Sequence, residues 1–140
     1  MNIKRVILAG VVIWIVSAIY EFLTCSWLFS WVYQIPPNIW KDSAAYFATG
    51  NMIGSNLAGL FVAIIFAFVF AFLYKGIPGK GVKKGMIYGL IIWSIGELSG
   101  DLPMPFYMTI ATTVIVYWII WGLVLNLING AIVGAIYKKK

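Results

Sequence analysis

Histidine is absent from this 140-residue chain, and cysteine occurs once. Without imidazole there is no His-ligated haem, no His-based metal site and no histidine general base. Cys25 alone closes no intrachain disulfide and completes no Cys-rich metal site, so neither a metal nor a cofactor is expected. Charge is scarce as well. Only 10% of the residues are Asp, Glu, Lys or Arg, where a soluble domain carries about 25%. That scarcity excludes a soluble globular fold.

What fills the chain instead is apolar: 63% of it is hydrophobic and 17% aromatic. Two charge-free runs, Ser43 to Tyr74 and Leu102 to Tyr137, each exceed the roughly 20 residues that cross a bilayer. The apolar stretch after Arg5 continues past Glu21 to Tyr33 without a small-residue cleavage site, so it is read as a retained first helix rather than a signal peptide. Breakers divide the rest. Pro36-Pro37-Asn38 ends the first segment, and Asp42 or Ser43 offers a helix cap for the second. Gly76 to Gly81 contains Pro78 and forms a basic turn, and Pro103 and Pro105 bound the last connection. Spans are expected at about 6–33, 44–74, 85–100 and 106–137. The fold class is therefore all-α, an integral-membrane four-helix bundle in a single domain, 1–140.

The ten basic residues against four acids give a net charge of +6. Nine of the ten stand at segment ends: Lys4, Arg5, Lys75, Lys80, Lys83, Lys84 and Lys138 to Lys140; only Lys41 lies elsewhere. This placement suits topology and contact with anionic lipid, not nucleic acid. By the positive-inside rule both termini and the middle loop are cytoplasmic. Trp27, Trp31, Tyr33 and Trp40 would then mark the outer interface, where aromatic side chains gather.

A short pattern recurs. Gly10-Val11-Val12-Ile13-Trp14 resembles Gly89-Leu90-Ile91-Ile92-Trp93; Gly59-Leu60 and Tyr74-Lys75 resemble Gly122-Leu123 and Tyr137-Lys138 at equal spacing, with Ala67 and Ala71 aligned to Gly130 and Gly134. Chance produces such matches in apolar, Gly-rich sequence. If the repeat is a duplication, of 1–75 and 80–140, the units are helical hairpins related by a pseudo-twofold axis along the membrane normal.

Lipid tails are as apolar as leucine, so helices here associate through close packing and polar contacts. Gly85, Gly89, Gly96 and Gly100 share one helical face; Gly122, Asn126, Gly130 and Tyr137, with Asn129 and Gly134, supply a second; Asn56, Gly59, Ala63 and Ala67 supply a third. Ser17 and Thr24 share a face with Glu21. These are candidate helix–helix contacts, with Asn126 and Asn129 alternatively lining a hydrophilic path.

Of the acids, Asp42 reads as a loop residue and cap. Glu21 lies 16 residues beyond Arg5 and Glu97 13 beyond Lys84, roughly 24 Å and 20 Å along a helix. Both fall at similar depth in the outer part of a core about 30 Å thick. An ionised carboxylate there is costly, and no span carries a basic partner, although Lys41 is placed to reach back from its loop. Glu21 and Glu97, with Asp101 at the mouth, are therefore the candidate proton or cation site; the alternative is interfacial or hydrogen-bonded structural acids.

The stretch Ala18-Ile19-Tyr20-Glu21 is similar to the glutamate-bearing first helix of small multidrug-resistance transporters. The likeness is confined to these residues. Those transporters work as antiparallel pairs, whereas the nine-to-one Lys/Arg asymmetry here favours one orientation, so that family is not assigned. No catalytic constellation is present: the glycines of the middle loop lack the Lys-Ser/Thr ending of a phosphate loop. The expectation is a non-catalytic membrane subunit or scaffold packing through glycine-rich faces, alone or as a homo-oligomer. The alternative is a small proton- or cation-coupled transporter or channel.

Overall fold

The computed structural model describes residues 1–37 and 39–137. Asn38 of the first loop and the flanking Lys138 to Lys140 lie outside the described residues. The chain is helical, with no strand among the described residues, and three helices are long and apolar enough to cross a membrane. Helix α1 (Ile3–Glu21) continues as a π-helical segment, Phe22–Leu28, and then a 3-10 turn, Ser30–Gln34. Short α2 (Ser43–Tyr46) precedes the long α3 (Thr49–Leu73). Helix α4 (Gly81–Trp93) runs through a second π segment, Ser94–Leu98, into α5 (Ser99–Asp101). A 3-10 turn, Met104–Phe106, leads to α6 (Thr112–Ile136).

Two helices, α3 and α6, start later than the sequence expectation, whereas α1 and α4 start three and four residues earlier. Asp42 does cap a helix, its carboxylate accepting from the Ala45 amide at 2.7 Å, but that helix ends at Tyr46. The backbone at Ala48 is extended (ψ 133°), and α3 begins one residue later. Likewise the last helix starts at Thr112 rather than 106, because Pro103 and Pro105 hold a tight turn first. Apolar composition marked these segments as membrane-compatible, but it does not distinguish helix from apolar loop.

The most extensive helix contact joins α4 to α6. They run antiparallel and meet backbone to backbone. A Cβ built on Gly85 would collide with the Gly130 carbonyl, one on Gly89 with the Asn126 carbonyl, and one on Gly134 with the Gly81 carbonyl. Any larger residue would force the helices apart. Helix α1 packs against both α3 and α6. Gly10 lies so close to Ile64 that a Cβ would come within 2.8 Å of its backbone, and the Trp14 ring lies over Gly59. Tyr88 ties α4 to α3: its hydroxyl donates to the Phe66 carbonyl at 2.9 Å and its ring contacts Phe66 and Phe70. The buried core, Val6, Ala9, Ile13, Ala63, Ala67, Phe70, Tyr88, Val133 and Tyr137 among others, lies in the half nearer the N-terminus and the middle loop.

Basic residues at this end also terminate helices. A helix C-terminus leaves carbonyl groups without intrahelical donors and carries a partial negative charge. Lys84 is only 8% exposed; its ammonium donates to the Tyr74 carbonyl at the end of α3 at 2.6 Å and sits 4.3 Å over the Tyr74 ring. Arg5 donates to the Ile136 carbonyl at the end of α6 at 3.4 Å. Lys84→Met keeps the aliphatic bulk and removes the donor. It should lower unfolding stability in lipid or mild detergent by about 1–3 kcal/mol, measured by SDS titration, while exposed Lys83→Met changes it by less than about 0.5 kcal/mol.

Candidate functional site

The polar residues expected inside the membrane separate into two places. The first is the end of the α4–α6 seam farther from the middle loop. In a regular helix Glu97, twelve residues after Gly85, would lie roughly 120° away from it. The wider π turn of Ser94–Leu98 carries Glu97 back onto the side facing α6. There its Oε2 occupies the space beside Gly122 where a larger residue would carry a Cβ. Its Oε1 accepts from the Asn126 side-chain amide at 3.1 Å, and Asn126 also donates to the Gly122 carbonyl at 3.0 Å. Glu97 Oε2 is buried with no hydrogen-bond partner among the described residues. Asp101, four residues further along the chain, is half-buried.

The same π turn disposes of two expected packing residues. Gly96 lies seven residues from Gly89 and would face α6 in a regular helix. Neither Gly96 nor Gly100 has anything within 4 Å of an added Cβ. Gly85, Gly89, Gly130 and Gly134 form the seam; Gly96 and Gly100 stand outside it.

Between α1 and α6 a line of hydrogen bonds runs toward the outer side. Ser17 donates to Asn129 at 3.2 Å, and the Tyr20 hydroxyl to the Trp121 carbonyl at 3.2 Å. The Trp121 indole donates to the Thr24 hydroxyl at 2.7 Å, which donates in turn to the Tyr20 carbonyl at 2.6 Å. Cys25 approaches the Tyr117 hydroxyl at 3.8 Å. Burial first, and then the neighbouring Cys25 thiol, push the Tyr33 hydroxyl above the ordinary tyrosine range. Tyr33 packs edge-on against Trp40 at 4.5 Å, whereas Trp27 and Trp31 are exposed.

No family model, curated protein or solved structure matches this chain. The site is therefore read from its own geometry.

Glu21 lies apart from this network. It is exposed on α1, and no hydrogen bond among the described residues joins it to Glu97 or Asp101. Lys41 does not reach back to either acid; its ammonium donates to Asn51 at 3.3 Å. Asn56 is also exposed, donating within its own helix to the Met52 carbonyl at 2.8 Å. Among the described residues no group of three or more Cys, Asp or Glu is placed to hold a metal ion.

Pattern reading missed Trp121, Trp93 and Tyr88 as polar contributors. Each carries one donor that must find an acceptor in hydrocarbon, and each uses a backbone carbonyl or hydroxyl on a neighbouring helix, as Trp93 does with Ile119 at 2.9 Å. Their apolar bulk conceals this in a hydropathy pattern. Asn126→Ala leaves both Glu97 oxygens without a donor. It should destabilise the protein by about 1–3 kcal/mol, and Glu97→Gln by less, since a carboxamide keeps an acceptor and adds a donor; SDS unfolding in mixed micelles checks the order.

Proposed function

We propose that the chain is a four-span integral membrane protein with both termini cytoplasmic, acting as a non-catalytic subunit or scaffold. Three helices have the length and apolarity to cross a bilayer, and the α4–π–α5 segment, Gly81 to Asp101, has roughly 30 Å of helical length, enough for the fourth crossing. The tandem-hairpin reading draws support from matching register. In the repeat alignment Gly10 and Ile64 correspond to Gly89 and Leu127, and each glycine meets its partner helix there.

The observation that carries the scaffold reading is where the close packing is spent. The α4–α6 glycines are consumed within the chain, which closes the seam in which a pathway would otherwise run. The first eleven residues of α3, 49 to 59, are exposed, touched only by the preceding loop at Asn51 and by Trp14 at Gly59 among the described residues. Gly50 and Gly54 meet nothing there, leaving a helix surface of small residues for a neighbour. The unpartnered Glu97 oxygen supports the second reading, a proton- or cation-coupled transporter.

Two measurements test these statements. Single cysteines in a Cys25→Ser background at Lys80 and Lys140 should react with an impermeant maleimide from the same side of sealed vesicles, and one at Tyr46 from the other. Labelling of positions 80 and 140 from opposite sides contradicts the topology. In proteoliposomes under a pH gradient the scaffold reading predicts no proton flux above that of empty vesicles. A flux abolished by Glu97→Gln or Glu21→Gln, with folding intact, establishes the transporter instead.

A further inference from the structure

Helices α1 and α3 pack through their inner halves and part in their outer halves. Val6, Ala9, Gly10 and Ile13 are buried on α1, and Ala63, Ala67, Phe70 and Ala71 on α3. Beyond the Trp14–Gly59 contact, every α3 residue from 49 to 59 is exposed, and so is Glu21. Glu21 nevertheless belongs to the face that looks toward α3. It follows Gly10 by eleven residues, which returns it to within roughly 20° of that glycine, and Gly10 is the residue in contact with Ile64. Asn56 precedes Ala63 by seven and Ala67 by eleven, so it continues the buried stripe of α3 in the same way.

The antiparallel register set by Gly10 against Ile64 and Trp14 against Gly59 brings these two polar residues near one level. Side chains lean toward the N-terminus of their own helix. That tilts Glu21 inward and Asn56 outward, closing the remaining offset. The result is a cleft open to the side. Glu21 stands on one wall and Asn56 on the other, with Trp14 at the base, where its indole N–H donates no hydrogen bond among the described residues.

One wall, α3, is exposed around its circumference from Met52 to Ala58, so a small molecule touching Glu21 would leave most of it uncovered. The cleft also carries an uncompensated carboxylate at membrane depth. A second copy of this chain has no basic residue to offer there, because its Lys and Arg stand at segment ends or, for Lys41, in the outer loop on Asn51.

We propose that the α1–α3 cleft receives a transmembrane helix of a different protein that carries a lysine or arginine at the depth of Glu21. The basic group pairs with the Glu21 carboxylate, Asn56 adds its amide oxygen, and Trp14 offers a ring face to the cation. This rests on the subunit reading and names the chemistry of the partner. The flux and topology measurements above stand whether or not this cleft is occupied.

The test uses the full chain in phosphatidylcholine vesicles, with a fluorescent acceptor on Tyr46→Cys in a Cys25→Ser background. The probes are donor-labelled polyleucine transmembrane peptides with one Lys about 6 Å below the outer interface, or with Leu at that position. Energy transfer should be saturable for the Lys peptide and at least tenfold weaker in apparent affinity for the Leu peptide. Glu21→Gln, close in size, should remove that preference, while Asp42→Asn, the same charge change in the loop, should leave it intact. Protonating Glu21 in the unmutated chain by lowering the pH should weaken the Lys peptide selectively, which keeps the test decisive if Glu21→Gln fails to fold. Equal binding of the two peptides, or a preference that survives Glu21→Gln, overturns the proposal. So does a cleft already closed by a second copy, seen as disulfide-linked dimers of Asn56→Cys, or transfer lost on adding tetrapentylammonium equally with both peptides, which assigns the cleft to a small cation.

Discussion

Glycine meets backbone where α4 crosses α6, and the remaining architecture is arranged around that contact. In water, burial of leucine and phenylalanine would hold two such helices together. Hydrocarbon offers no such gain, so attraction depends on how many atoms reach van der Waals distance and on polar groups that lack any other partner. Gly85, Gly89, Gly130 and Gly134 let the two backbones approach until no side chain fits between them. The seam in turn fixes where Asn126 stands and so what surrounds Glu97.

Polar groups extend the seam outward. The π turn at Ser94–Leu98 exchanges regular helix geometry for a carboxylate facing Asn126, and a second π turn, Phe22–Leu28, accompanies the burial of Thr24 beneath Trp121. Single-turn π insertions are uncommon and concentrate at functional positions. Here each aims a polar side chain at α6. At the opposite end Lys84 and Arg5 answer the carbonyl groups of α3 and α6. Their placement thus serves helix termination.

Much of this was legible in the residues. Small residues four apart announced the seam. The π turns were not legible, because one extra residue in a turn leaves composition unchanged while rotating everything after it. That is why Gly96 and Gly100 read as packing residues yet stand in open space. Helix starts at Thr49 and Thr112 were hidden because the preceding loops are as apolar as the spans. The separation of Glu21 from Glu97 was equally out of reach: depth follows from counting, but the neighbour each helix faces follows only from how the helices pack around α6.

The division between a tightly joined α4–α6 pair and a parted α1–α3 pair gives the molecule a closed side and an open one. On the closed side the buried side-chain polar atoms of the described residues have hydrogen-bond partners, Glu97 Oε2 excepted. The open side leaves a carboxylate, an amide and a bare length of helix facing outward. The glycine seam is the premise of this division, and paired substitutions examine it most directly. Gly85→Val and Gly96→Val add the same three carbons to the same helix. Unfolding in bilayers should show a loss of at least about 1–3 kcal/mol for Gly85→Val, the range for forcing bulk into a packed contact, and almost none for Gly96→Val. Equal effects of the two substitutions would contradict the account.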